Sequence, residues 1–305
     1  MTAHAVRTHL RSVLDLLREV YDEWSDDGVV SHGAAISFYT FFSIAPVLVL
    51  AIAFAGLVFG RAAAEGEIVG QIQGAVGPDI AKTVQELIEQ ASRPASGIAA
   101  TVISLLTMIF GASGVFGQLQ ASLNQIWGAP PKARSGRAAV MRDVLRRRVM
   151  SFGMVLSIGM LLLVSLVVSA VVGGVRDAVE VHAPVFGALL PHLNLIVSFA
   201  IITTGFALIY KVLPDVRLDW RDVWVGSAVT AILFTLGKGA IALYLAHASR
   251  ASVYGAAGSL VLLLLWIYYS AQVVLIGAEF TEVYSRHFGS RKGAGRRKDR
   301  VRQGA

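Results

Sequence analysis

The sequence predicts an all-α integral membrane bundle of six transmembrane helices, with an N-terminal amphipathic helix and short extracytoplasmic helices after the first span. Three observations predict it. Of the 305 residues 55% are hydrophobic and 15% charged, and the mean hydropathy is +0.64, more apolar surface than a soluble domain can bury. Six apolar stretches, 34–59, 97–117, 150–174, 193–213, 223–246 and 259–284, each supply the ~20 residues that cross ~30 Å of hydrocarbon. The 27 Lys and Arg residues also sort by alternate loops: 21 lie in 1–33, 128–148, 211–222 and 285–305. The loops between hold five, Arg61, Lys82, Arg93, Arg176 and Arg250. This positive-inside pattern puts both termini in the cytoplasm.

Taken in order, residues 1–33 form a cytoplasmic N-terminal segment. Leu10, Val13, Leu14, Leu17, Tyr21 and Trp24 recur every three or four residues, with Arg11, Asp15, Arg18 and Asp22 between them. The spacing predicts an amphipathic helix, either lying on the membrane surface or capping the cytoplasmic loops. Asp26, Asp27 and Gly28 break it. Residues 1–30 lack an apolar stretch followed by small residues, so no cleavable signal is expected and the first span inserts the chain. Residues 34–284 are the six-span domain. Its first outer loop is long, and Pro78 suits the first turn of a helix whose stripe is Ile80, Val84, Leu87, Ile88 and Ala91. Residues 65–92 therefore read as two short helices over the outer mouth. The other outer loops, 175–192 and 247–258, are short, with turn residues such as Pro184 and Pro191. No internal repeat supports an inverted-repeat architecture. Residues 285–305 are a basic cytoplasmic tail expected to be disordered.

Polar residues inside the spans are the candidate substrate pathway. In the first span Ser37, Tyr39, Thr40 and Ser43 share one half of the helix circumference, and Phe38, Phe41 and Phe42 the other. Lipid should meet the phenylalanines; the hydroxyls either pack between helices or line a pathway. Pro46 removes a backbone hydrogen bond and is the hinge candidate. Gln118, Asn124 and Gln125 follow the second span, with Trp127 as an interfacial anchor. Lys238 lies inside the fifth span, about 21 Å from the anchor Trp224. A Lys at a helix centre costs about 2.5–3.5 kcal/mol, so it should face a cavity or a polar partner. Ser227 and Thr235 share its face. The last span carries Tyr268, Gln272 and Glu279 on one stripe. By depth, Gln272 is the expected partner of Lys238. Glu279 reads as an interfacial carboxylate capped by Arg286 or loop arginines, or as a proton- or ion-coupling group.

Zero cysteines exclude disulfides, thiolate catalysis and Cys-type metal sites, and no cofactor or metal is expected. The net charge of +7 reads as topogenic, with basic residues at membrane ends attracting anionic phospholipid headgroups, so no nucleic acid is expected as partner. Residues 111–114, GASG, have the form of the GxSG motif around the nucleophile of rhomboid proteases. A serine nucleophile needs a base within reach. The seven histidines, 4, 9, 32, 182, 192, 247 and 287, all lie in loops or at span ends, so close helix packing explains the motif better. No residue is assigned as catalytic.

The segments AAISFYTFFSIAPVLVLAIAFAGLVFG, LQASLNQIW, KVLPDVRLDWRDVWVGSAVTAILFTLGKGAIALYL and SVYGAAGSLVLLLLWIYYSAQVVLIGAEFTEVY stand in order along residues 15–288. In them the chain resembles the YihY/BrkB family of bacterial inner-membrane proteins. The resemblance implies a six-span protein linked to envelope integrity, serum resistance and export of a lipid or solute. Some members carry an old ribonuclease label, which the absence of cysteines and of metal-ligand spacing does not support. The expected function is a transporter or flippase for a lipid-like or small polar solute. The alternatives are a non-transporting envelope scaffold and, last, a membrane-tethered ribonuclease.

Overall fold

A computed structural model of the chain describes residues 3–92, 114–129, 153, 157, 160, 190–248 and 258–292. Every regular element among them is helical. In chain order these are α1 (Ala3–Asp26), α2 (Val29–Phe59), α3 (Arg61–Val76), α4 (Pro78–Ala91), α5 (114–126), α6 (Leu190–Val212), α7 (Trp220–Ala248) and α8 (Gly258–His287). Most of the second and third expected spans and the tail beyond Lys292 lie outside the described residues, as do Ser113 of GASG and Pro184.

Among the described residues four helices are long and apolar enough to cross a membrane: Val29–Leu57, Leu195–Val212, Trp220–Ile241 and Leu260–His287. They correspond to the first, fourth, fifth and sixth expected spans. In the most apolar stretch of each, between 22% and 33% is buried within the protein, and the apolar side chains left on the outside suit a lipid solvent. Leu195, Ile196, Leu236 and Phe42 are exposed accordingly.

The helices outrun the expected boundaries, for local reasons. α2 starts at Val29 because Gly28, at φ 63°, makes the left-handed turn out of α1. α6 starts at Leu190, which puts Pro191 in its first turn rather than in a loop, where its missing N–H costs nothing. α8 reaches His287 because its last turn is held by side chains of α1.

α8 is the central strut, packed against α2 and α7, while α6 and α7 pair with each other. At the far end of the bundle, α3 and α4 fold back on α2 and α8. Pro78 is the first residue of α4, and Ile80, Val84 and Ile88 are each 1% exposed. They join Ile52, Ala55 and Ile68 against Leu263, Trp266 and Ile267. Ala91, expected on the same stripe, is exposed in the final turn. At the near end, where the chain enters α2 and leaves α8, a second cluster gathers Val29, Leu123, Trp127, Tyr210, Leu213, Val223 and Leu275. Trp127 is therefore a core residue, 0% exposed with Arg291 over its ring, and not an interfacial anchor. Trp224 is 44% exposed, as an anchor would be.

α1 crosses the near end of α8 through Leu16 and Val20 against Val283. Its sequence stripe is only partly turned to the protein: Leu14, Leu17 and Tyr21 are exposed and Trp24 packs half-buried against the near-end cluster, whereas Leu16, Glu19, Val20 and Glu23 are buried. The buried face combines the two carboxylates Glu19 and Glu23 with the apolar Leu16 and Val20.

Candidate functional site

Among the described residues two polar groupings occupy the bundle. The larger is at the near end and is built on Arg286, one turn after Glu282 on α8. Its Nη1 donates to Glu19 Oε1 at 3.0 Å, its Nη2 to Glu23 Oε1 at 3.1 Å and its Nε to Glu282 Oε2 at 2.6 Å. Glu19 and Glu23 are four residues apart, so one face of α1 presents both. The guanidinium side chain is 4% exposed, and its planar fork suits three carboxylates at once. His287 Nε2 lies 2.7 Å from Glu19 Oε2.

Glu279 lies one turn before Glu282 on the same helix and is 1% exposed. Its Oε1 has no hydrogen-bond partner among the described residues. The expected capping by Arg286 does not occur, because Glu19, Glu23 and Glu282 already occupy the guanidinium.

Around this hub, side chains fasten helix ends to neighbouring backbone. Asn124 Nδ2 donates to Asp215 Oδ2 at 3.1 Å while the Asp215 N–H donates to Asn124 Oδ1 at 2.7 Å, tying the end of α5 to the α6–α7 loop. Gln120 donates to the Leu213 carbonyl and Gln125 to that of Asp27. Tyr210 donates to the Val274 carbonyl and meets Thr230, where Gly277 leaves room for both side chains. Asp222, in the first turn of α7, accepts both the N–H and the hydroxyl of Ser290. Lys211 donates to the Leu218 carbonyl.

The smaller grouping lies at mid-span. Ser37 is buried and donates back to the Gly33 carbonyl at 2.7 Å, the usual way for a helix to satisfy a hydroxyl. Tyr39, 44% exposed, and buried Ser43 lie against Gly114, whose absent side chain lets α5 approach. Thr40 is half-buried beside them, and α2 remains helical through Pro46. Phe38 and Phe42 face outwards, whereas Phe41 packs into the far-end cluster. Gln118 and Tyr268 are half-buried.

Lys238 is half-buried on α7 and makes no hydrogen bond or ion pair among the described residues. Gln272 is not its partner. The Gln272 amide turns to α2, 3.5 and 3.4 Å from the Val29 and Val30 carbonyls, and fills the space above Gly33. Depth along a helix is legible from rise per residue; which neighbour lies on that face is not. Ser227 is fully buried and Thr235 exposed, so the polar face expected around Lys238 is not continuous.

A groove of about 480 Å³ opens on the side of α6, lined by Ser157, Met160, Val197, Ile201, Thr204 and Leu208. It is apolar apart from two hydroxyls, both donating to their own helix backbone, and Lys238 is not part of it. Among the described residues no group of His, Asp or Glu is arranged to hold a metal ion.

Sequence reasoning missed the hub. The spacing Glu19/Glu23 and Glu282/Arg286 is its signal, but nothing local indicates that helices more than 260 residues apart meet there.

Residues 20–302 match the family described as virulence factor BrkB. A UPF0761 membrane protein of Alteromonas mediterranea is 26% identical over 302 residues, 96% of this chain and 96% of its own length. One from Pseudoalteromonas translucida is 27% identical, covering 85% of this chain and 82% of the relative. Another, from Cronobacter sakazakii, is 32% identical over 67% of this chain and 65% of its own. No solved structure matches the chain. With its helices apolar enough to cross a membrane and the match running over nearly its whole length, the chain belongs to the BrkB family of bacterial membrane proteins.

Proposed function

We propose that the protein is a transporter or flippase that moves a lipid-like or small polar solute across the bacterial cytoplasmic membrane, with both termini in the cytoplasm. The observation that carries this reading is Lys238. It is a cation within a helix apolar enough to span, half-buried, and without a partner among the described residues. A charge at that depth costs about 2.5–3.5 kcal/mol unless it serves something, and an anionic headgroup or a hydroxyl-rich solute is what it would attract. The pathway would run past Ser37, Tyr39, Thr40, Ser43, Gln118, Gln272 and Tyr268, with Asn124 and Glu279 towards the inner side and Pro46 as the hinge. The apolar groove on α6 is suited to an acyl chain. The exposed stripe of Leu14, Leu17 and Tyr21 supports an α1 that rests on the membrane surface, among anionic phospholipids.

A second reading, a non-transporting envelope scaffold, is favoured by the near end. There Gln120 and Gln125 are held by backbone carbonyls, Asn124 by Asp215, and Tyr210 by Thr230 and the Val274 carbonyl. Reconstituted vesicles separate the two. The transport reading expects movement of a fluorescent lipid or a polar solute that falls at least tenfold in Lys238→Ala. No movement in the wild type, together with wild-type behaviour of Lys238→Ala and Glu279→Ala in cells, would leave the scaffold.

A further inference from the structure

Four carboxyl groups, Glu19, Glu23, Glu279 and Glu282, gather with one guanidinium at the near end of α8. Three of them share Arg286, each on a different nitrogen. The fourth, Glu279, is left out: it is 1% exposed, and its Oε1 is shielded from solvent with no hydrogen-bond donor among the described residues. The charges that act on it come from Glu282 and Arg286 on its own helix and from Glu23 on α1. His287, the other basic group of the last turn, is turned to Glu19. On α8 nearby, Gly277 adjoins Thr230 and Tyr210, whose hydroxyls are engaged with each other. An ionised carboxylate in that position would be desolvated, unbonded and beside two other carboxylates. A metal ion is not the remedy, since no group of described residues is arranged to hold one.

We infer that Glu279 is a proton-binding site, whose carboxyl carries a proton while α1 is docked and releases it when α1 moves aside and water enters. The release has a structural consequence. An ionised Glu279 competes with Glu19 and Glu23 for Arg286, so loss of the proton and undocking of α1 favour each other. The inference concerns this site and stands whether or not the chain moves a solute.

The test uses the full-length protein in lipid nanodiscs at neutral pH. A protonated carboxyl gives an infrared C=O stretch distinct from the carboxylate bands. The spectrum of the wild type minus that of Glu279→Gln should contain this stretch, shifted slightly in D2O. Gln has the shape of the neutral acid, so Glu279→Gln should keep its Tm within about 2 °C of the wild type, whereas Glu282→Gln, which loses an ion pair to Arg286, should fall by more. Carboxylate bands in place of the C=O stretch would overturn the inference. So would a Tm loss in Glu279→Gln as large as that in Glu282→Gln, including failure to fold.

Discussion

The two ends of this bundle are closed by opposite means. At the far end, α3 and α4 cover α2 and α8 with an apolar seam of Ile80, Val84 and Ile88 against Leu263, Trp266 and Ile267. At the near end, α1 is fastened to α8 by a buried guanidinium and three carboxylates, beside a small apolar cluster of Leu16, Val20 and Val283 with Phe280 against it. The apolar seam is non-directional and tolerates small shifts. The ionic hub demands geometry, and it fails as a unit when one member is removed. One end is built to stay closed; the other can be opened by a change of charge.

The sharpest way to break this comparison is Arg286→Ala. It leaves three buried carboxylates without their cation and should cost about 3–5 kcal/mol, measured as loss of monodisperse protein on heating in detergent. A far-end substitution, Ile88→Ala, should cost about 2–4 kcal/mol by opening a cavity in the seam, while leaving the protease sensitivity of α1 unchanged. Asn124→Leu removes both bonds to Asp215 and should cost about 1–3 kcal/mol, loosening the α6–α7 loop as read by hydrogen exchange. Lys238→Leu should have the smallest effect on stability, or slightly raise it, because no described contact is lost and an apolar side chain suits the span. The same variant should show the largest loss in the vesicle assay, which separates function from folding.

The two ends also differ in how much of each could be read from the sequence. The far end is local: Pro78 starts a helix, the three-to-four spacing of Ile80, Val84 and Ile88 sets its face, and the helix folds back on its immediate predecessors. The near end is not. Glu19 and Arg286 are 267 residues apart, and their pairing depends on which helix faces adjoin once the chain is packed. The same limit explains the other differences. Trp127 was expected at an interface because aromatic residues favour that depth, but α5 turns it inward against Arg291. Gln272 has the depth to reach Lys238, but its side of α8 faces α2. On α1, the apolar stripe Leu14, Leu17 and Tyr21 was legible, but the face that packs is the one with Glu19 and Glu23, since an unpaired Arg286 would be costlier to bury than those three are to expose. Periodicity finds faces; it does not find their partners.

Hydrogen–deuterium exchange of the full-length protein in nanodiscs tests the contrast between the ends most directly. In Arg286→Ala, exchange should rise through α1, residues Ala3–Asp26, and in the last turn of α8, while α3 and α4 keep wild-type protection. A rise at both ends, or protection of α1 equal to that of the wild type, would contradict the account, because α1 would then not depend on the charge hub.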